Sequence, residues 1–409
     1  MRMAYDPQAL GARCDQCILA VLRDGPPVPP ETKRADVAVV TDAPSEHEVR
    51  NARPLVGPAG MRLDMALRAN GMSRNDVDVF QAVACQPPRN LMKLVRSKLA
   101  TENRERDARK WSRLPDPVDA CRPRLLRELE AARYTRPHDQ IITMGKEAYR
   151  ALVPPPVGKD GTRANHPSVV NMNGTLYDGP LVQADGRTPG SHVVRLVPTV
   201  HPNYVLRKPS FTMPFHKAVD RARRWFHGLL AWREPTVVVN PPLGDLQRWV
   251  TWAMAQPVLY YDTETTSLEP CWADLKTIQV GTGDDVLILA MRGHDGRRLV
   301  PAGTEAAYLD AACRLLTSPE APPLAGHNAG SYDKQVMQRA GLDVRLDFDT
   351  VILHRYVDPD LPHNLGFVGA TYTDIPEWKS EGGLAEDDAM LHHYGALDVA
   401  GNARAGEKL

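Results

Sequence analysis

Six polar residues in this 409-residue sequence have the types and the order of a metal site. Asp262 and Glu264 stand one residue apart and close an apolar run at 258–261. Acidic residues at the end of a hydrophobic strand cost stability unless a cation neutralises them. Four carboxylates from three segments therefore predict a pair of divalent metal ions on oxygen ligands. The later members of the set are Asn328, Asp333, Tyr394 and Asp398.

Paired metal ions about 3.5–4 Å apart suit phosphodiester hydrolysis, because one can hold the attacking oxygen and the other the leaving oxygen. We expect Asp262 to bridge the ions. Glu264, two residues along an extended chain, faces the same side and is expected to hold the nucleophile's metal. The remaining predicted roles are metal ligation by Asp333 and Asp398, positioning of the attacking water by Tyr394, and contact with the scissile strand by Asn328.

These segments resemble the DEDDy group of 3′–5′ exonucleases, the proofreading domains of family A DNA polymerases. Asp-x-Glu, Asn-x3-Tyr-Asp and Tyr-x3-Asp occur in the family's order, and 349–350 and 371–379 resemble phage members. The resemblance covers about residues 258–401. It implies a ribonuclease H-like domain with a mixed sheet, Mg²⁺ or Mn²⁺, and hydrolysis of single-stranded or frayed 3′ DNA ends. An exonuclease fold without activity is the alternative, which the presence of every carboxylate disfavours.

Polymerase relatives continue beyond the third motif, whereas nothing in this sequence resembles a polymerase. The resemblance therefore implies a DNA polymerase as a partner, either in the same polypeptide beyond Leu409 or as a separate chain. Both alternatives stay open at this point.

Charge is distributed unevenly along the chain. Residues 1–233 carry 37 Lys and Arg against 24 Asp and Glu, and residues 234–409 carry 13 against 26. A basic half fits a polyanion partner and an acidic half fits a metal-binding module, although solvated faces of chance sign are an alternative. The sequence has no apolar run of about 18 residues and no apolar N-terminal segment. We expect a cytoplasmic protein without a membrane partner, in the host cytoplasm if it is phage-encoded.

Four cysteines fall in the basic half, as a close pair and two distant members. Four thiolates can hold a [4Fe–4S] cluster or zinc, and their spacing alone favours neither. Buried cysteines without a ligand are a third alternative. The four are Cys14, Cys17, Cys85 and Cys121.

Strand and helix patterns alternate over residues 36–233, which predicts a parallel sheet covered on both faces. A basic insertion at 88–118 and a long loop or irregular hairpin at 153–192 interrupt the alternation. A Pro-containing stretch near 232–242 predicts the boundary between two α/β domains, 1–233 and 234–409. The predicted strands lie at 36–41, 77–80, 140–144 and 193–197, and the predicted helices at about 63–70, 125–132, 215–230, 309–316 and 336–340.

The basic half resembles family 4 uracil-DNA glycosylases and their relatives over about residues 14–228. The matching segments are TDAPS at 41–45, PLVGPAG at 54–60, FQAVACQPP at 80–88 and HPNYVLR at 201–207. The resemblance implies a doubly wound parallel-sheet domain and a structural [4Fe–4S] cluster on the four cysteines.

The residues of these segments also predict a base-binding site. Asp42, Gln81 and His201 each follow a predicted strand, and ligands bind outside the carboxyl ends of strands in open α/β sheets. A base extruded from DNA would be held there. His201 is expected to stabilise charge on the departing base, and Asp42 to orient water or stabilise the sugar cation. The predicted substrate contacts are Leu55, Gln81, Asn203 and Arg207.

Several positions depart from the family's pattern. Thr41 and Ser45 replace glycines, which narrows the approach of the backbone. Asp42 replaces a glutamate, Leu55 replaces a base-stacking phenylalanine, and Gln81 replaces a base-reading asparagine. These changes predict an altered base preference, weak activity, or a DNA-binding domain without excision.

The sequence therefore predicts a 3′–5′ DNA exonuclease fused to a uracil-DNA-glycosylase-like domain that binds DNA or inspects bases. One alternative is a base-excision glycosylase with an accessory exonuclease. Another is a DNA-binding adaptor for a polymerase, without catalysis.

Overall fold

The computed structural model describes residues 5–157, 162–301, 303–379 and 387–409. The chain divides into two compact units, Met1–Leu230 and Ala231–Leu409. Each unit contains one sheet with helices packed against it.

The first unit contains five strands and eight α-helices among its described residues. The strands are β1 (Val37–Thr41), β2 (Val77–Gln81), β3 (Gln140–Met144), β4 (Tyr177–Val182) and β5 (Pro189–Thr199). The helices are α1 (Ile18–Leu22), α2 (Glu46–Asn51), α3 (Gly57–Ala69), α4 (Met92–Ala108), α5 (Pro117–Ala131), α6 (Lys146–Leu152), α7 (Pro202–Arg207) and α8 (Thr212–Phe226).

The sheet of this unit has the order β2-β1-β3-β5-β4. Strands β2, β1, β3 and β5 are parallel to one another, which confirms the predicted parallel sheet. Strand β4 is antiparallel to β5, because a short turn joins the two strands and a parallel pair would need a longer crossover. Every residue of β1 and β2 is buried, as expected for strands with both faces covered.

The basic insertion forms α4. Val95, Leu99 and Asn103 recur every four residues and are the buried residues of this helix. The buried stripe holds the helix to the unit, and most of the remaining residues of α4 face solvent.

The second unit contains a six-stranded mixed sheet in the order β11-β10-β7-β8-β9-β6. Strand β8 is antiparallel to both β7 and β9, and the other pairs are parallel, as predicted for a ribonuclease H-like exonuclease domain. The strands are β6 (Thr236–Val239), β7 (Leu259–Thr265), β8 (Leu275–Gly281), β9 (Asp285–Ala290), β10 (Leu324–Gly326) and β11 (Phe348–Asp349).

Helix α14 packs against β7, β8 and β9 of this sheet. Ala396, Val399 and Ala403 of α14 are buried in a cluster with Tyr260 and Ile288 of the strands. The helices of this unit are α9 (Leu243–Ala253), α10 (Glu305–Leu316), α11 (Asp333–Arg339), α12 (Thr350–Val357), α13 (Leu365–Tyr372) and α14 (Asp388–Gly406). Among the described residues of both units, no helix is long and apolar enough to cross a membrane.

Candidate active sites

Three carboxylates of the second unit meet beside β7. One oxygen from each of Asp262, Glu264 and Asp398 lies within 4.8 Å of the other two. Asp262 and Glu264 share a face of β7 because side chains alternate along a strand, and α14 brings Asp398 against that strand. All three are buried or half-buried, so the repulsion between them is poorly screened. Such a group of oxygens fits divalent cations.

The pKa values of these carboxyls reflect the crowding. Burial, followed by the charge of Asp398, raises the pKa of Glu264 to about 8. Burial and then Asp398, Asp333 and Glu264 raise the pKa of Asp262 well above its usual range. Oxygens of Asp262, Glu264 and Asp398 form the close group, and Asp333, the fourth predicted ligand, is not part of that group.

Asp333 lies beside these three carboxylates at the start of α11. Its Oδ1 accepts hydrogen bonds from the backbone N–H of Thr263 at 3.1 Å and from the Thr263 hydroxyl at 2.5 Å. Burial raises the pKa of Asp333 to about 6. Asp333 is thus fixed to the residue between Asp262 and Glu264, and its position in the sequence motif alone did not predict this contact.

Lys379 is a site residue to which the sequence analysis assigned no role. Its Nζ lies 2.5 Å from Oδ1 of Asp398 and donates a hydrogen bond to the Tyr394 hydroxyl at 3.0 Å. Burial alone would lower the pKa of Lys379, but Asp398, Tyr394 and Asp262 raise it above its usual value. The resemblance of residues 371–379 to phage exonucleases was the feature of the sequence that could have indicated Lys379 as a site residue.

Tyr394 and Asp398 are four residues apart on α14 and lie on one face of the helix. Trp378 Nε1 also donates to Asp398 Oδ1, at 2.6 Å. Trp378 and Lys379 thus both hold the same oxygen of Asp398, and Lys379 joins this carboxylate to the Tyr394 hydroxyl. The phenol is therefore held close to the ligand oxygens.

Asn328 is exposed in the segment between β10 and α11. Its φ is +62°, a left-handed conformation that asparagine tolerates better than most residues. Its backbone N–H donates to Asp349 Oδ1 at 2.9 Å. This contact links two of the segments that the exonuclease resemblance had singled out.

Lys379→Met is expected to lower the melting temperature of the chelator-treated protein by about 5 °C, at about 2–4 °C per kcal/mol for a domain of this size. The ammonium group is the cation that the structure places against Asp398, so its removal leaves buried carboxylates uncompensated. Added Mn²⁺ should restore most of the loss, because it neutralises the same oxygens. Thermal denaturation with and without Mn²⁺ measures both effects.

Lys379→Arg is the matched control, since it retains the positive charge. It should stay within about 1–2 °C of the parent protein in chelator, less than about 1 kcal/mol at this domain size. Equal melting temperatures for Lys379→Met and the parent protein in chelator would contradict the assigned role.

The first unit contains a cavity of about 500 Å³. It opens beyond the carboxyl ends of β1 and β5, where ligands of α/β sheets bind. Four of the residues predicted for the base-binding site line it, and Glu147 is a further lining residue. The four predicted residues are Asp42, His201, Asn203 and Arg207.

Both ring nitrogens of His201 are engaged by the protein. Nδ1 accepts the backbone N–H of Asn203 at 3.1 Å, and Nε2 lies 2.8 Å from the Thr41 hydroxyl. Because Nδ1 accepts, the neutral ring carries its proton on Nε2 and donates it to Thr41. Burial, followed by Arg207, lowers the pKa of His201 to about 4. The imidazole is therefore neutral at physiological pH, and its one N–H is occupied.

Asp42 is half-buried and caps the start of α6. Its Oδ1 accepts the backbone N–H groups of Glu147 at 2.8 Å and Ala148 at 2.9 Å. Burial is the main cause that raises the pKa of Asp42 to about 7. Gly145 has a φ of +108°, and a Cβ at this position would lie 2.3 Å from Asp42 Oδ2. The glycine is thus required for the aspartate to reach α6.

Leu55 and Gln81 are not among the residues that line the cavity. Leu55 is buried with a φ of +46°, and its N–H donates to Glu48 Oε1 at 2.5 Å. A Cβ at Gly60 would lie 2.0 Å from the Leu55 carbonyl oxygen, which explains the glycine in this segment. Gln81 ends β2 at 1% exposure, and its amide atoms have no hydrogen-bond partner among the described residues.

The basic insertion contributes to the wall of the cavity, which sequence analysis did not predict. Leu91 and Met92 line it at the start of α4. Arg96 donates to both carboxylate oxygens of Glu147 at 2.7 and 2.5 Å and to Asp116 at 2.8 Å. These bonds join α4 to α6 through paired charges, a contact between residues 51 positions apart that no local pattern indicates.

The four cysteines of the first unit line one small pocket with apolar neighbours such as Leu19 and Val83. Burial, together with the charge of the neighbouring thiols, raises the pKa values of Cys17 and Cys85 to about 11. Arg23 and Arg124 donate to Cys85 Sγ at 3.8 Å and to Cys121 Sγ at 3.3 Å.

The spacing of these sulfur atoms can be compared with that of a zinc site. In the described residues, the groups of three or more ligand atoms within 4.8 Å of one another do not include these cysteines. A single zinc with Zn–S bonds of about 2.3 Å would hold its sulfurs roughly 4 Å apart. No three of the four sulfur atoms lie within 4.8 Å of one another in the described residues, so a single zinc ion would require them to move closer.

The fold and the cavity at the carboxyl ends of β1 and β5 define an α/β protein of the glycosylase type. The chain belongs to the uracil-DNA glycosylase superfamily, whose family model matches residues 29–225. It is similar to the type-4 uracil-DNA glycosylase of Pyrobaculum aerophilum, with 31% identity over 224 residues that cover 54% of this chain and 93% of the relative. The type-4 enzyme of Thermotoga maritima is 28% identical over 200 residues, 48% of this chain and 80% of the relative. The predicted family is thereby confirmed.

Other similarities concern nucleases and a polymerase. A 97-residue stretch is 35% identical to DNA polymerase I of Chloroflexus aurantiacus, which is 24% of this chain and 10% of the polymerase. Brucella melitensis NrnC with bound Mg²⁺ has 19% identity and a TM-score of 0.33, covering 43% of this chain and 80% of NrnC. Escherichia coli RNase D, an exoribonuclease, has 18% identity and a TM-score of 0.33, covering 43% of this chain and 44% of RNase D.

Proposed function

We propose that this protein removes nucleotides from the 3′ ends of DNA with two divalent metal ions, and that its glycosylase-like unit binds the DNA. The observation that carries the proposal is the convergence of Asp262, Glu264 and Asp398 within 4.8 Å beside β7. These residues occur in the order of the DEDDy exonuclease motifs. Buried carboxylates at this spacing repel one another and lower the stability of the folded protein. Bound cations would remove this repulsion, so the cluster is consistent with a function that depends on cations.

The bound ions would neutralise charge on the scissile phosphate and activate a water molecule. In this chain, Asp262, Glu264 and Asp398 would hold them, with Asp333 beside Asp262. Thr263 orients the Asp333 carboxylate through two hydrogen bonds. Lys379 fixes the Tyr394 hydroxyl next to Asp398, where the phenol can accept a hydrogen bond from the attacking water.

The direct test uses a single-stranded oligodeoxynucleotide labelled at its 5′ end. With Mg²⁺ or Mn²⁺ we expect a ladder of products shortened from the 3′ end, and no products in chelator. A 3′-terminal phosphorothioate linkage should delay the first cut. An intact oligonucleotide after incubation with folded protein and either ion would overturn the proposal.

A second function, base excision, is favoured by the cavity that Asp42 and His201 line. A departing base gains negative charge, and the N–H of a neutral imidazole can stabilise it. In this chain that N–H already bonds to Thr41, and one oxygen of Asp42 caps α6. We infer that excision of uracil is weak for these two reasons.

Thr41→Gly is expected to raise the rate of uracil excision about tenfold or more, because the N–H of His201 can then donate to the negatively charged departing base. A hydrogen bond to a charged group contributes about 1.5–3 kcal/mol, and each 1.4 kcal/mol is about a factor of ten in rate. The variant frees Nε2 of His201 for the base. Alkali-labile sites in a uracil-containing strand measure the effect. Chelator in the assay suppresses the nuclease.

Thr41→Ser is the matched control, since it retains the hydroxyl and should retain the low activity. Adding His201→Ala to Thr41→Gly should remove the gain. If Thr41→Gly and Thr41→Ser excise uracil at the same rate, the contact between Thr41 and His201 does not limit excision.

The four cysteines are proposed to hold a [4Fe–4S] cluster. Their enclosure in one pocket and the guanidinium donors to Cys85 and Cys121 support this assignment. Visible absorption and iron analysis of anaerobically purified protein test it. Bound zinc without iron would overturn it.

We also propose that residues 1–233 and 234–409 act as the two functional domains, with single-stranded or frayed DNA as the shared substrate. A DNA polymerase is a proposed partner, in the same polypeptide or as a separate chain. The identity to a short part of a bacterial DNA polymerase I supports this partner.

A further inference from the structure

One exposed face of α4 has the composition of a DNA-backbone contact. Lys93, Ser97, Thr101 and Arg104 follow one another at helical spacings of three and four residues, and all are exposed. Two carboxylates border this row, because Glu105 follows Thr101 by four residues and Asp107 follows Arg104 by three. Asp107 lies 3.7 Å from Arg113 rather than pairing with a member of the row. In the part of the chain that the structure describes, neither Lys93 nor Arg104 forms an ion pair.

The position of α4 connects this face to the base cavity. Leu91 and Met92 line the cavity at the N-terminal end of the helix, and Arg96 ties the helix to Glu147 of the cavity wall. From there the 17 residues of α4 extend for about 25 Å. A strand that follows the helix over this length spans several nucleotides.

An aromatic side chain lies just beyond the C-terminal end of α4. Trp111 is 55% exposed, which is unusual for a large apolar ring. The guanidinium groups of Arg106 and Arg109 lie 5.9 and 5.1 Å from the ring centroid. They fix the indole in a cationic setting, and Lys110 adds a further charge next to it in the sequence. An exposed ring among cations is the arrangement that stacks on unpaired bases.

We propose that this row of α4 together with Trp111 binds the single-stranded DNA that flanks a base held in the cavity. Lys93 and Arg104 contact phosphates, the Ser97 hydroxyl donates to a phosphate oxygen, and Trp111 stacks on a base further along the strand. The Thr101 hydroxyl donates to the Ser97 carbonyl and accepts from Arg104, each at 3.3 Å, and so helps to hold Arg104 in the row. The inference rests on the proposed function only in taking DNA as the substrate. It places the bound strand along α4, which lies outside the four segments that resemble the glycosylases.

The test measures binding of a fluorescein-labelled 20-nucleotide single strand to the full chain by anisotropy, at several salt concentrations. Asp262→Ala in every protein prevents degradation of the probe. The test variants are Lys93→Glu with Arg104→Glu, and Trp111→Ala. The control is Arg133→Glu with Arg187→Glu, which makes the same charge change at exposed positions that neither belong to α4 nor line the cavity.

We expect the α4 double variant to lose at least about tenfold in affinity and to reduce the slope of log K against log salt by about 1.4, for two phosphate contacts at about 0.7 each. Trp111→Ala should lose about fivefold or more on single strands with an unchanged salt slope, and its loss on blunt duplex should be smaller. Melting temperatures establish that the variants are folded. Equal losses in the α4 and control variants, or unchanged binding by all of them, would overturn the proposal.

The outcome is separable from the exonuclease proposal. Mg²⁺-dependent hydrolysis of a dinucleotide needs no contact with a long strand, so the α4 substitutions made in the protein with Asp262 intact should leave it unchanged. If hydrolysis is absent in the parent protein while the α4 variants still lose DNA binding, the nuclease assignment fails and this surface stands. If hydrolysis is present and the variants bind normally, this surface fails alone.

Discussion

Asp262→Asn is expected to lower Mg²⁺-dependent 3′ hydrolysis at least about a thousandfold, which corresponds to about 4 kcal/mol of transition-state stabilisation. The amide keeps the shape of the carboxylate but carries no charge. An oxygen of Asp262 lies within 4.8 Å of oxygens of both Glu264 and Asp398, so its loss is expected to affect every ion that these carboxylates hold. Single-turnover rates at saturating Mn²⁺ separate a catalytic defect from weak metal binding.

In the absence of metal, Asp262→Asn is expected to maintain or increase the stability of the folded protein, although it lowers hydrolysis. When the pKa of a carboxyl is higher in the folded than in the unfolded protein, the folded state favours the protonated form. The stability of the folded protein therefore falls as the pH rises above the pKa of the unfolded state, about 4. At neutral pH in chelator, Asp262→Asn should therefore melt at or above the parent temperature. Mn²⁺ at a hundred times its Kd should stabilise the parent protein by about 2.7 kcal/mol and the variant far less.

Asp360→Asn is a suitable control because Asp360 is an exposed aspartate of the same unit. It should leave hydrolysis and the Mn²⁺ effect unchanged. A folded Asp262→Asn protein that hydrolyses DNA at the parent rate would remove the basis for the nuclease assignment.

Local periodicity was sufficient to place several of the site residues together. Asp262 and Glu264 share a face because a strand repeats every two residues, and Tyr394 and Asp398 share one because a helix repeats every 3.6. The parallel strands of the first unit were predicted for a similar reason, since alternating strand and helix patterns allow few arrangements. These features depend on neighbours in sequence, which a single chain displays directly.

Contacts between distant segments could not be predicted in the same way. The bond between Thr41 and His201 joins residues 160 positions apart, and the approach of Lys379 to Asp398 depends on how the segment after α13 packs. Local sequence patterns also did not show that Leu55 would lie outside the cavity. Its left-handed backbone and its bond to Glu48 are set by the loop around it. Thr41 is an example. The sequence indicated only that its side chain narrows the approach of the backbone, whereas in the structure its hydroxyl is a hydrogen-bond partner of His201.

Cys121→Ser is expected to abolish the iron–sulfur cluster and to lower the melting temperature of the first unit by about 10 °C. Cys121 lies 3.3 Å from Arg124, a guanidinium that is 1% exposed. Arg124 also pairs with Glu128 at 2.6 Å, so loss of a thiolate leaves it one anionic partner fewer. Removing a partner from a buried charge costs about 3–5 kcal/mol, and about 2–4 °C accompanies each kcal/mol in a domain of this size.

Iron content, visible absorption and thermal denaturation measure the loss, and Cys271→Ser is the control because Cys271 is an exposed thiol of the second unit. Hydrolysis of DNA should survive Cys121→Ser, since Asp262, Glu264 and Asp398 all belong to the second unit. A Cys121→Ser protein that keeps full iron content would show that this thiol is not a ligand. Loss of the cluster together with nuclease activity would instead show that the two units depend on each other for folding.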